Sequence, residues 1–207
     1  MNFFGHAVVA GWQSGDPNFA LGAMLPDFAS MIGGKISGVD HPVIARGIDL
    51  HHKTDAAFHQ LRDFFDLCAE ASALLRACGI RRGPVRGAAH VAVELCLDGY
   101  LAGDGGAVAH YLATVAGSDP SLLRWQSAES GPRFAGLLAR LADAGAPRPP
   151  IVPDRIARRV SRALASHPLL AVTAIEERDL STQLPSIDAA VAARAPALIA
   201  NLRRALR

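Results

Sequence analysis

Gly47-Ile48-Asp49-Leu50-His51-His52-Lys53-Thr54-Asp55-Ala56-Ala57-Phe58-His59 is the stretch on which the reading of this chain turns. On a helix, side chains four residues apart stack on one face. His51, Asp55 and His59 have that spacing, so a helix here carries imidazole, carboxylate and imidazole in one stripe, with His52 beside it. Imidazole and carboxylate are common ligands of Zn, Mn and Fe, and a pair at i, i+4 can chelate one ion. For a single His–Asp pair, a solvated polar face or a capped helix end explains the pattern equally well. Three such groups in register within an apolar chain favour a site. The helix begins near Pro42, with Ile44, Ile48 and Leu50 apolar. Either it breaks near Ala56-Ala57, which removes His59 from the stripe, or it runs on.

Downstream, Leu61, Phe64, Phe65, Leu67, Cys68, Ala71, Leu74 and Leu75 keep the helical period to about Cys78, where Gly79 stops it. A second stripe then appears: His90, Glu94 and Asp98, flanked by Val91, Val93, Leu95, Cys96 and Leu97. A solvent-facing stripe normally has Lys or Arg interleaved, and this one has none. Facing helices that each present a row of ligands are a common way for helical domains to build metal centres. Upstream, residues 1–12 read as a short helix with Asn2 at its N-cap. His6 lies amid Phe3, Val9 and Ala10, either as a hydrogen-bonded core residue or as a ligand. Residues 13–18 form a loop, and a second helix starts at Phe19. Pro26 ends or kinks it, which leaves Asp27 at an irregular joint, aimed inwards or capping the next turn. The Gly-rich segment 33–40 is a mobile connection.

Arg81, Arg82 and Arg86 mark a basic loop. Residues 107–115 are helical, with His110 structural. Residues 119–144 read as a helix interrupted at 130–132, and the Pro-rich segment 146–153 as a linker. A helix capped by Asp154 places Arg155, Arg158, Arg159 and Arg162 opposite Ile156, Val160, Ala163 and Leu164. A closing helix spans 187–206, kinked at Pro196. No strand pattern or repeat emerges, so the class is all-α: one helical domain, 1–207, with a metal-site core in 1–103 and a helical extension in 104–207.

The chain has 207 residues, half of them hydrophobic and 19% charged, which describes a globular protein and not a disordered one. A formal net charge of +2 gives no argument for nucleic acid. Arg outnumbers Lys 19 to 2; beside so much Ala and Gly, that is more simply a codon-composition signature than a phosphate-binding one. Cys68, Cys78 and Cys96 have no paired spacing and read as thiols in a reducing compartment. Polar residues interrupt every long apolar run, and His6 interrupts an N-terminal segment that lacks a basic start. The expectation is no membrane span, no signal peptide and a cytoplasmic location.

Four pieces of sequence, in order, resemble the acyl carrier protein phosphodiesterase family. They are Met1-Asn2-Phe3 with His6, Gly22 to Asp27-Phe28, Gly47-Ile48 with His51 and Asp55, and Glu94 with Asp98. The resemblance covers about residues 1–103. It implies an HD-like helical bundle and a divalent metal, Mn foremost with Fe, Mg or Zn as alternatives. It also implies hydrolysis of a phosphodiester, in the best-known case that of phosphopantetheine on acyl carrier protein. The ligand set becomes His6, Asp27, His51, Asp55, His90 and Asp98, with His52, His59 and Glu94 as further candidates. Asp55, Asp27 and Glu94 are the candidate catalytic carboxylates. The chain departs from the family at His52, where it usually has Arg, at Phe58-His59, where it has Thr-Asp, and at Gly99, where it has His. His90, a turn before Glu94, is a further difference. Partners are an acidic carrier protein, met by the arginines of residues 155–162 with Arg81, Arg82 and Arg86, or a small phosphodiester. In a composition so rich in Arg, the simpler account of the same face is that it solvates its helix. Two other readings stand beside this one: a catalytically silent helical protein that binds a partner or ligand, and a metal hydrolase of another small molecule.

Overall fold

The computed structural model describes residues 1–207 as nine helices and a two-stranded antiparallel ladder. The protein is all-α, and no helix is long and apolar enough to cross a membrane. The chain forms two compact units, 1–56 with 101–147, and 57–100 with 148–207. Each unit therefore draws on both sides of residue 103.

The first unit holds α1 (Phe3–Gly11), α2 (Pro17–Met31), most of α3 (Pro42–Phe58), α6 (Gly105–Gly117) and α7 (Ser130–Ala144). Every residue of α1 from Phe3 to Ala10 is buried. Phe4 meets the ring of Tyr111 edge-on at 5.3 Å, and Phe3 lies 5.5 Å from Phe28. Asn2 occupies the N-cap position of α1 without a side-chain capping bond. Asp16 caps α2 by accepting from the Asn18 N–H at 2.8 Å, with Pro17 at the first helical position.

Three segments of this unit differ from expectation. Of the two outcomes expected at Pro26, a helix end is excluded: α2 continues to Met31, and Asp27 projects from within it. A proline inside a helix costs about 3 kcal/mol. Burial of Leu21, Met24, Leu25 and Phe28 on the same helix outweighs it. The segment expected to be a mobile connection contains β1 (Ile36–Val39), paired with β2 (Leu123–Trp125). The strands are short and the register slips between Ile36 and Gly38, so no two-residue alternation could build up in the sequence. Ser130-Gly131-Pro132 likewise opens α7, where it was expected to interrupt a longer helix. Proline is tolerated there because the first-turn N–H groups have no partner within the helix.

The second unit holds α4 (Arg62–Ala77), most of α5 (Arg82–Leu101), α8 (Pro153–Leu164) and α9 (Ala174–Ala205). Ile156, Ala157, Val160 and Leu164 are the buried face of α8, which packs on α9. The N-cap of α8 is Val152, with Asp154 inside the first turn, so Asp154 is not the cap. The closing helix begins at Ala174, well before Ile187. Thr173 accepts from the Glu176 N–H at 3.2 Å, and Glu176 accepts from the Thr173 N–H at 2.9 Å. Arg81 donates to both oxygens of Glu176 at 2.8 Å. That pair holds the Glu176 carboxyl down at about 2 against the opposing effect of its burial. Of the basic segment expected to be a loop, Arg82 and Arg86 lie in α5 and only Arg81 precedes it.

Helices α2 and α3 meet backbone to backbone at two glycines. A Cβ at Gly22 would sit 2.2 Å from the Ile44 carbonyl oxygen, and one at Gly47 only 2.3 Å from that of Phe19. Both obstacles are backbone, so neither can rotate away. Gly47→Ala is expected to lower stability by about 1–3 kcal/mol through overpacking, whereas Gly117→Ala, with open space around it, is expected to be neutral. Denaturant unfolding of the two variants checks this; equal midpoints would mean that the helices do not meet at Gly47.

Candidate metal centres

The candidate ligands fall into two groups, each within one compact unit. In the first, α1 supplies His6, α2 supplies Asp27 and α3 supplies His51. Their ligand atoms all lie within 4.8 Å of one another. His6 and His51 are buried, and their rings stack at 3.9 Å. Asp55, one turn beyond His51, presents Oδ1 to His6 Nε2 at 3.2 Å and Oδ2 to His51 Nε2 at 3.6 Å. The i, i+4 relation of His51 and Asp55 holds as the sequence suggested.

Local backbone aims His51. Pro26 has no N–H to donate to Gly22, and in that same turn the Ala23 carbonyl oxygen accepts from His51 Nδ1 at 2.9 Å. A proton on Nδ1 leaves the Nε2 lone pair free for a cation. Burial first, and then the neighbouring His6, push the His51 pKa down to about 4, so the ring is neutral at pH 7. Burial pushes Asp55 the other way, but the hydrogen bond with His6 and the Met1 α-ammonium, which donates to Oδ1 at 2.8 Å, outweigh it. Its carboxyl stays well below the usual range and is anionic at neutral pH.

The second group is His59, His90 and Glu94. Helix α3 stops at Phe58, and a turn follows in which the Leu61 N–H donates to the Phe58 carbonyl. His59 thus leaves the stripe of His51 and Asp55, the outcome in which the helix breaks. Phe58, the last residue of α3, is fully buried and lies 4.3 Å from Phe64 of α4. On α5, His90 Nε2 lies 3.0 Å from Glu94 Oε1, and His59 Nε2 approaches the same oxygen at 3.4 Å. The two imidazoles stack at 5.1 Å, with the Phe64 ring edge-on to both. Burial pushes the Glu94 carboxyl up, but the bonds from His59 and His90 override it and hold it well below the usual range.

Asp98 is buried on α5 and belongs to neither group. His52 is exposed, with its ring perpendicular to that of His51 at 5.4 Å, and it too belongs to neither. Three participants escaped sequence reasoning: the Ala23 carbonyl, the Met1 α-ammonium and Phe64. Backbone groups leave no residue-type signal, and Phe64 reads as ordinary core periodicity.

Comparison with protein-family models, with curated proteins and with solved structures finds no match.

The geometry at Ala23 makes a spectroscopic prediction. In metal-free protein at pH 7, imidazole 15N shifts should show His51 protonated on Nδ1 and bare on Nε2. A proton on Nε2 would mean that His51 is not oriented for a cation.

Proposed function

We propose that this chain is a metal-dependent phosphohydrolase of the kind its sequence resembles, an HD-like helical phosphodiesterase working in the cytoplasm. The observation that carries the reading is the convergence of His6, Asp27 and His51 from three helices, with Asp55 beside them. Two imidazoles and carboxylate oxygens suit Mn, Fe or Zn, and Mg less well. When bound, the ion would supply Lewis acidity towards a phosphoryl oxygen and an activated water.

The chain's own residues divide the remaining work. His51 enters with Nε2 already deprotonated and its ring held by Ala23. Asp55 is anionic and shared between His6 and the Met1 ammonium, so it orients and neutralises. A carboxylate so firmly ionised is a poor proton acceptor. Asp27, whose carboxylate lies among the ligand atoms of His6 and His51, is assigned to orient the attacking water. As a substrate class, an acidic carrier protein is supported by the exposed side chains of Arg155, Arg158 and Arg162 on α8. Arg81 is not counted with them, because Glu176 already engages it. Asp154 and Glu177 line the same groove as Arg158 and Arg178, so the face is mixed in sign.

The test pairs metal content with turnover of bis-p-nitrophenyl phosphate and of a phosphopantetheine-bearing carrier protein, with Mn, Fe, Mg and Zn added separately. His51→Ala is expected to lower metal affinity about 10–100-fold, and activity with it. Asp27→Asn should lose turnover. Rising salt should slow only the carrier-protein reaction. Unchanged metal content in His51→Ala, or no hydrolysis with any of the four ions, would overturn the reading.

A further inference from the structure

We infer that His59, His90 and Glu94 form a divalent transition-metal site of their own, open to solvent and complete within one compact unit. The inference does not rest on the phosphohydrolase reading, since it uses none of His6, Asp27, His51 or Asp55.

Three observations carry it. Donors at about 2.0–2.1 Å from one ion lie about 3.0 Å apart at right angles and about 3.4 Å apart at the tetrahedral angle. The His90–Glu94 and His59–Glu94 separations are 3.0 and 3.4 Å, so both fit edges of one coordination shell. Both Nε2 atoms also turn towards the same oxygen, Glu94 Oε1, while their rings stack. Hydrogen bonding alone accounts for each contact but does not require the two imidazoles to converge on one point. Lastly, the frame is stiff where it must be and open where it must be. His90 and Glu94 sit one turn apart on α5. Phe58 and Phe64, 4.3 Å apart, back His59 at the turn. The side chains of His59 and His90 are 36% and 43% exposed, against 12% for Glu94. An ion therefore has an entry path, and its outward positions face water or a small anionic ligand.

The donor set names the class of ion. Two imidazoles with one carboxylate favour Zn, Ni or Co over Mg and Ca, which want oxygen throughout. This is also the ligand count of a zinc site that keeps a position open.

The experiment is zinc titration of the chelator-stripped full-length protein, with a Co(II) visible spectrum as the second readout. Wild type should bind zinc at this site in the presence of millimolar Mg. His59→Ala and His90→Ala should each weaken that binding at least tenfold and remove its Co(II) band. His51→Ala should leave both intact, which separates this site from the one assigned to phosphohydrolysis. Both substituted histidines are partly exposed, so helical content by circular dichroism should match wild type. Zinc binding of unchanged stoichiometry and affinity in the folded His59→Ala, His90→Ala double variant would overturn the proposal. So would complete loss of zinc binding in folded His51→Ala.

Discussion

The contact of α2 and α3 at Gly22 and Gly47 is the constraint on which the buried histidine–carboxylate group depends. Any side chain at either position would meet a backbone carbonyl within 2.3 Å. Two helices that touch at glycine bring their next turns unusually close. One turn beyond Gly47, His51 reaches the Ala23 carbonyl at 2.9 Å, and Ala23 is the residue after Gly22. Asp27 lies one turn further along α2, and α1 packs against α2 to bring His6 over His51. The order of events is steric first and electrostatic second: two missing methyl groups set the distance, and the polar groups then find partners at it.

Burying two imidazoles against a half-exposed carboxylate would be costly if each kept its full charge. The first unit resolves this by assigning charge unequally. His51 is neutral, with its pKa near 4, and Asp55 keeps its charge because His6 and an ammonium group stand against it. The second unit uses the opposite arrangement. Glu94 is covered, and two partly exposed histidines bond to it, which keeps the carboxylate ionised from the solvent side.

Much of this was legible in the sequence because it is periodic. The i, i+4 pairs His51 with Asp55 and His90 with Glu94 follow from helical geometry alone, as does the all-α class. What was not legible depends on tertiary packing. Pro26 predicts a helix end or a kink by local propensity, and α2 runs on through it with Leu25 and Phe28 fully buried. The fate of His59 turned on whether the chain breaks after Phe58, and a ring contact with Phe64 goes with that break. The β1–β2 pair joins segments more than 80 residues apart, and three or four residues carry too little pattern to announce it.

The two groups share a donor chemistry, two imidazoles and a carboxylate, and differ chiefly in access to water. That difference has a consequence for any cation. A metal must displace protons from its ligands, so affinity falls as pH drops through their pKa values. In the buried group, burial and a second imidazole have already removed the His51 proton, and entry of a cation there need not wait for it to leave. What the cation must displace is the ammonium now paired with Asp55. At the exposed group the cost lies elsewhere, in removing the protons through which His59 and His90 contact the Glu94 oxygen. Cation selection in the first group would therefore be a contest between two positive charges for one carboxylate, while in the second it would be an exchange of imidazole–carboxylate hydrogen bonds for coordination bonds. A strong Lewis acid with high affinity for imidazole gains more from the second exchange than a hard cation such as Mg does. The first contest would reward charge density as well, so a centre at the buried group would discriminate less among divalent ions than one at the exposed group.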